Sequence, residues 1–167
     1  MTALKVDQTL LESVIKGTTV GLQMTGIVPP PVGASCFFDS RRTVSIMVGV
    51  VGNNNGNVTL NMSERAMLWL AGKLLFEDQT EVNEESIDAI MEVANMVAGA
   101  IKEELVGTQF EAANISVPSM IWGAAYSVVY TRGMNTVTVE FELEEMPLSM
   151  LGDRFFTVTL ALMRRVG

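Results

Sequence analysis

Between Glu84 and Leu105 apolar residues recur with the period of an α-helix. At about 100° per residue, Ile87, Ile90, Val93, Ala94, Val97, Ala98, Ile101 and Leu105 share one broad arc. Asp88, Glu92, Asn95 and Gly99 fall together on the opposite side, within roughly 60°. The same spacing, carried by Leu4, Val6, Leu10, Val14, Thr18 and Leu22, predicts a long N-terminal helix over 1–24. Gly26 and Pro29-Pro30-Pro31 end it, and 25–42 reads as an extended, Pro-containing surface loop. Thr43 to Val51 then alternates, with Val44, Ile46, Val48 and Val50 on one face, as a strand does. Asn53 to Asn57 interrupts it, and the Asn-Gly pair favours a hairpin turn over a ligand site. Val58 to Met62 returns as the partner strand.

Ser63 caps a predicted helix from Glu64 to about Phe76, and Asn83 caps the segment described first. Gly107 is placed to end that segment. Beyond it the periodicity is β-like. Tyr126 to Tyr130 is short and apolar. Thr136 to Glu144 alternates, with Val137, Val139, Phe141 and Leu143 inward and Thr138, Glu140, Glu142 and Glu144 outward; Phe156 to Leu162 alternates again. Strands, two central helices and three more strands predict a single α+β domain over 1–167. It would be a two-layer, antiparallel (mixed) β-sheet with two central helices plus the long N-terminal helix.

The wet face of the 84–105 helix is built against helix propensity. Asn is a mediocre helix former, and Gly in an exposed helix interior costs about 1 kcal/mol relative to Ala. A carboxylate, a carboxamide and bare backbone in one stripe point to close docking of another molecule. Gly99 is equally compatible with tight packing of a helix from the same chain.

Composition narrows the chemistry. Hydrophobic residues make up 49% of the 167, so burial is extensive. A net charge of −8 argues against nucleic acid, which demands a basic footprint. Met1 to Asp7 lacks a basic segment followed by an apolar run, and no stretch reaches the roughly 18 apolar residues of a membrane span, so a cytoplasmic chain without membrane insertion is expected. One cysteine, Cys36, excludes an intrachain disulfide. The absence of histidine removes Ser-His and Cys-His nucleophile pairs and most zinc sites. Arg41-Arg42 reads as solvated charge at a strand entrance, with an anion contact as the alternative. Trp69 and Trp122 read as core or interface anchors, and the twelve methionines mostly as adaptable core filler.

Asp88, Glu92, Asn95 and Pro118 stand in a pattern of an acidic residue, three residues, Glu, two residues, Asn, twenty-two residues, then Pro. This resembles the signature of the CheC/CheX phosphatases of bacterial chemotaxis, as does Asn95-Met96-Val97-Ala98-Gly99 with Lys102. In the CheC-like branch the motif stands on two helices. Aligning Ala71-Gly72 with Ala98-Gly99 puts Arg65 and Leu68 where Glu92 and Asn95 stand, so the chain resembles the single-motif CheX-like branch.

The resemblance implies a CheC/CheX-like fold and a phosphatase acting on the phosphorylated receiver domain of CheY. It implies Asn95 and Glu92 as catalytic residues, Asn95 orienting the attacking water and Glu92 meeting the receiver's lysine. Asp88, Gly99 and Lys102 are expected to contact the partner, and Pro118 to shape the strand backing the motif helix. No metal or cofactor is expected on this chain, Mg²⁺ being expected in the receiver's own active site. A homodimer is expected. The alternatives are a module that sequesters a phosphorylated receiver without hydrolysing it, and an assembly protein of a motility apparatus.

Overall fold

In the computed structural model, which describes residues 5–163, the Asp7 carboxylate accepts the Leu10 N–H at 3.1 Å and starts helix α1, Gln8–Gly21. A short 3-10 turn over Gln23–Thr25 follows, closed by Gly26 at φ +74°. Leu10, Val14, Thr18 and Leu22 are all buried, as their spacing requires. Leu4 and Arg164-Arg165 lie outside the described residues.

The predicted loop over 25–42 contains a strand, β1, Pro31–Ser35. The run Pro29-Pro30-Pro31, whose last residue opens the strand, hid it, since Pro lacks the N–H of a ladder and marks an edge strand at best. β1 is such an edge: Pro31 to Ala34 are exposed, and the strand pairs antiparallel with β6, Met134–Glu142. β2, Val44–Val51, and β3, Gly56–Met62, form the expected hairpin. Its geometry differs from the Asn-Gly reading. Gly56 opens β3, because a Cβ there would lie 1.8 Å from the Ala161 carbonyl oxygen. The positive φ falls on Gly52 instead. Asn54 is buried and donates to the carbonyls of Gln109 and Glu111, so it ties down the chain beyond the motif helix and offers nothing to a ligand.

Helix α2, Glu64–Leu75, and helix α3, Glu84–Glu104, follow their caps. The Ser63 hydroxyl accepts the Ala66 N–H at 3.1 Å. Asn83 and Ser86 form a reciprocal capping box, each side chain accepting the other's backbone N–H at 2.9 Å. Gly107, at φ +75°, turns the chain away after α3. Two strands that periodicity did not predict, β4 at Asn114–Ile115 and β5 at Ser119–Trp122, both pair with β2. Conversely, the predicted strand at Tyr126 to Tyr130 is irregular. Its short apolar run belongs to a loop packed on Phe38, whose ring lies 6.0 Å from Tyr126 and 6.4 Å from Tyr130.

With β7 at Phe155–Met163, the seven strands form one sheet in the order β1-β6-β7-β3-β2-β4, with β5 also on β2. Every pairing is antiparallel, so no mixed pairing is present among the described residues. The three helices occupy one face. α1 lies against β6 and β7, α3 against β2 and β3, and α2 packs on α3. Between the layers sit Ile46, Leu60, Ile90, Ile101, Phe141 and Phe156, all without solvent exposure.

α1 and α3 meet at backbone distance. A Cβ on Gly17 would lie 2.6 Å from Ile101 Cα, and one on Gly21 2.5 Å from Val97 Cα, well inside ordinary carbon contact of about 3.5 Å. The close-packing glycines are therefore on α1, facing the apolar side of α3.

The other sheet face is also covered. Thr138, assigned outward, is buried along with Thr157 and Thr159. Its hydroxyl shares a hydrogen bond with Thr159 at 2.7 Å and donates to the Phe37 carbonyl at 2.6 Å. Arg42 is likewise drawn in, pairing with Glu140 at 2.5 Å with its side chain only 15% exposed. Only Arg41 remains solvated, clamped on Asp39 at 2.7 Å. Burial pushes the Asp39 carboxyl up, but the Arg41 hydrogen bonds and the charges of Arg41 and Arg42 outweigh it and hold it below the usual carboxylate range.

Candidate functional site

α3 places one face in the core and one in water. Ile90, Val93, Ala94, Val97, Ala98, Ile101 and Leu105 are buried, while Ile87 is only partly so. On the opposite side Asp88 and Glu92 are exposed, and Asn95, Gly99 and Lys102 are half-buried. These five form a single stripe about 21 Å long, since each residue adds about 1.5 Å along the axis. Glu92 and Asn95, three positions apart, are surface neighbours.

Hydrogen bonding along α3 is concentrated at its ends. The capping box holds the N-terminus, and Lys102 pairs with Glu103 at 2.8 Å near the C-terminus. Among the described residues the side chains of Asp88, Glu92 and Asn95 enter no hydrogen bond or ion pair. Gly99 has room: a Cβ there would find only the Ile115 side chain, at 3.8 Å, an ordinary contact. No helix among the described residues packs on it, so that reading of Gly99 is set aside. Pro118 sits between β4 and β5, where the pairing with β2 is irregular. Val50 faces Ile115 and Met47 faces Ser119, leaving one residue extra on the Pro118 side. Proline's missing N–H costs nothing at such a bulge, and Ile115 of the same stretch reaches Gly99.

α2 offers no second copy of the site. Arg65, in the place of Glu92, pairs with Asp153 at 3.4 Å. Leu68, in the place of Asn95, is buried beside a cavity of about 510 Å³ lined by Trp69, Met146 and Met150. Trp69 is half-buried with the Lys73 ammonium 4.9 Å from its ring, and Trp122 is 46% exposed on β5. Among the described residues no cluster of three or more His, Cys, Asp or Glu is arranged to hold a metal ion. No helix among them is long and apolar enough to cross a membrane.

Residues outside the motif also contribute to this surface. Leu74 and Leu75, ending α2, form with Ala89 the apolar floor of an open groove beside Asp88 and Glu92. Phe76 follows in the left-handed conformation, φ 57°, with 87% of its surface exposed. Periodicity concealed them because the apolar run Met67 to Phe76 reads as core.

No curated protein sequence gives a significant match. Solved structures share the fold. A chemotaxis protein from Desulfovibrio vulgaris Hildenborough superposes with a TM-score of 0.75 at 22% identity, over 95% of this chain and 99% of that one. A CheX from Desulfovibrio desulfuricans gives 0.73 at 21% identity, over 91% and 98%. The CheX of a CheX–CheY–BeF3–Mg²⁺ complex from Borrelia burgdorferi gives 0.71 at 22% identity, over 95% and 99%. The family model for the chemotaxis phosphatase CheX matches residues 44–142, more than half of the sequence and the whole span from β2 through the motif helix to β6. The chain belongs to the CheX family of chemotaxis phosphatases.

Proposed function

We propose that this chain hydrolyses the aspartyl phosphate of a CheY-type receiver domain, using Asn95 and Glu92 of α3. The observation that carries the reading is a carboxamide and a carboxylate side by side on the open face of a helix whose other face is locked in the core. Membership of the CheX family supports the reaction class. The Borrelia burgdorferi complex, in which a CheX of the same fold is held with CheY, BeF3 and Mg²⁺, supports a receiver as the partner.

An acyl phosphate needs little covalent assistance; positioning and electrostatics supply most of the catalysis. The Mg²⁺ and lysine of the receiver would neutralise the phosphoryl oxygens. Asn95 supplies what remains. Its amide nitrogen donates and its oxygen accepts, so it holds a water in line without having to titrate. The water oxygen bonds to phosphorus as the bond to the aspartyl oxygen breaks, releasing inorganic phosphate and restoring the carboxylate. Glu92 meets the receiver's lysine in a charge-assisted contact. Asp88 and Lys102 extend the contact along the stripe, and Gly99 lets the partner's backbone approach the helix. The protein acts as a homodimer in this reading.

The test is catalytic turnover. CheY-type receivers, phosphorylated with a small acyl phosphate and freed of it, are mixed with substoichiometric protein. Loss of phosphoryl groups should exceed the receiver's own decay and rise in proportion to the protein added. Decay that never exceeds the intrinsic rate, with stoichiometric binding, would establish sequestration instead. Binding that ignores phosphorylation would favour the assembly role.

A further inference from the structure

Among the described residues the groove beside the motif helix has no occupant. Its floor is Leu74, Leu75 and Ala89, and its rim is Glu84, Glu85, Asp88 and Glu92, in a cavity of about 570 Å³. The four carboxylates are exposed, and among the described residues none is paired with a cation. Phe76, almost fully exposed, directly follows Leu75 at the end of α2. An apolar floor inside an unneutralised acidic rim is complementary to one kind of visitor: a bulky apolar side chain flanked by lysine or arginine.

We infer that this groove is a second docking point for the receiver, taking an apolar side chain between basic residues on the receiver surface that borders its phosphorylation site. The inference rests on the phosphatase reading and extends it from chemistry to partner selection. Size supports the assignment. A stable protein contact buries about 800 Å² on each partner, a patch roughly 16 Å in radius. Glu84 lies three turns before Asn95, about 16 Å along the axis. A receiver centred on Asn95 therefore reaches the groove, its edge falling near Glu84, and Asp88 and Glu92 belong to both. The groove residues outside the motif, Leu74, Leu75, Glu84 and Glu85, stand away from Asn95 along the helix and on α2, so they govern encounter and affinity rather than the chemical step.

The experiment uses the full chain, the double variant Glu84→Gln/Glu85→Gln and the single variant Leu75→Gln. Each is checked for an unchanged circular dichroism spectrum and melting profile. Dephosphorylation of a phosphorylated CheY-type receiver is followed against receiver concentration and salt. The double variant should raise KM by about fivefold or more, leave kcat within about twofold, and flatten the rise of KM with salt. Leu75→Gln should raise KM without changing the salt dependence. Unchanged KM and unchanged salt dependence in both variants, with wild-type turnover intact, would overturn the groove and leave the phosphatase reading standing. If the wild type binds the phosphorylated receiver without hydrolysing it, the phosphatase reading fails, and Kd replaces KM in the same comparison: a weakened Kd upholds the groove, an unchanged one overturns it. Absence of wild-type binding overturns both.

Discussion

A carboxamide brings no ionisable proton to a reaction, so whatever Asn95 contributes must be geometric. Its side chain projects from the half-buried edge of the stripe, while the core residues Val93 and Ala94 beside it fix the backbone. Removing the amide while keeping the helix isolates that contribution. In Asn95→Ala the dephosphorylation rate should fall by about 10²-fold or more, near 2.7 kcal/mol. Receiver binding should survive, and the melting temperature should hold or rise, since Ala is the better helix former. Single-turnover kinetics beside a titration of binding checks this, and equal losses of rate and affinity would refute the division of labour. The pairing of Glu92 with Asn95 was legible in the sequence because helical spacing alone puts residues three apart on one face.

Elements are positioned by features of two ranges. Caps are local, so Ser63 and Asn83 could be read from the chain and stand where predicted. Helix contacts are not local. Gly17 and Gly21 sit within a helix whose period was legible, although it runs over Gln8–Gly21 rather than the expected 1–24 because Asp7 caps it, yet nothing near them in sequence says that α3 will lie against their Cα atoms. The same substitution should therefore act with opposite sign on the two helices. Gly17→Ala and Gly21→Ala push α1 off Ile101 and Val97 and should each cost about 1–3 kcal/mol. Gly99→Ala meets only an ordinary contact and should gain up to about 1 kcal/mol. Equilibrium denaturation of the three variants checks the signs. The strand in 25–42 escaped for a related reason: β1 is held by β6, about a hundred residues away, not by its own pattern.

At the scale of the molecule, the sheet decides where another copy could attach. The late strands β6 and β7 both lie inside the sheet. Among the described residues the flanks of the sheet are β1 on one side and β4 with β5 on the other. Each carries exposed apolar side chains, Val32 at 48% on β1 and Trp122 at 46% on β5. Unpaired strand edges with apolar residues are ready templates for association. Light scattering at micromolar concentration should give twice the 18.1 kDa chain mass, and a monomer there would refute the proposed homodimer.

The sequence by itself determined what depends on neighbours a few residues away. That includes the three helices, the caps of α2 and α3, the β2–β3 hairpin, the inward faces of β6 and β7, and the stripe from Asp88 to Lys102. Repeating spacing along one element requires no knowledge of the rest. Only the tertiary structure decided which buried face meets which: glycines of α1 on α3, threonines of the sheet beneath the Phe37 loop, Arg42 drawn onto Glu140, and the α2 terminus beside the motif helix. Those contacts join residues far apart in the chain, and burial and pairing there are set by the partner surface, which no local periodicity encodes.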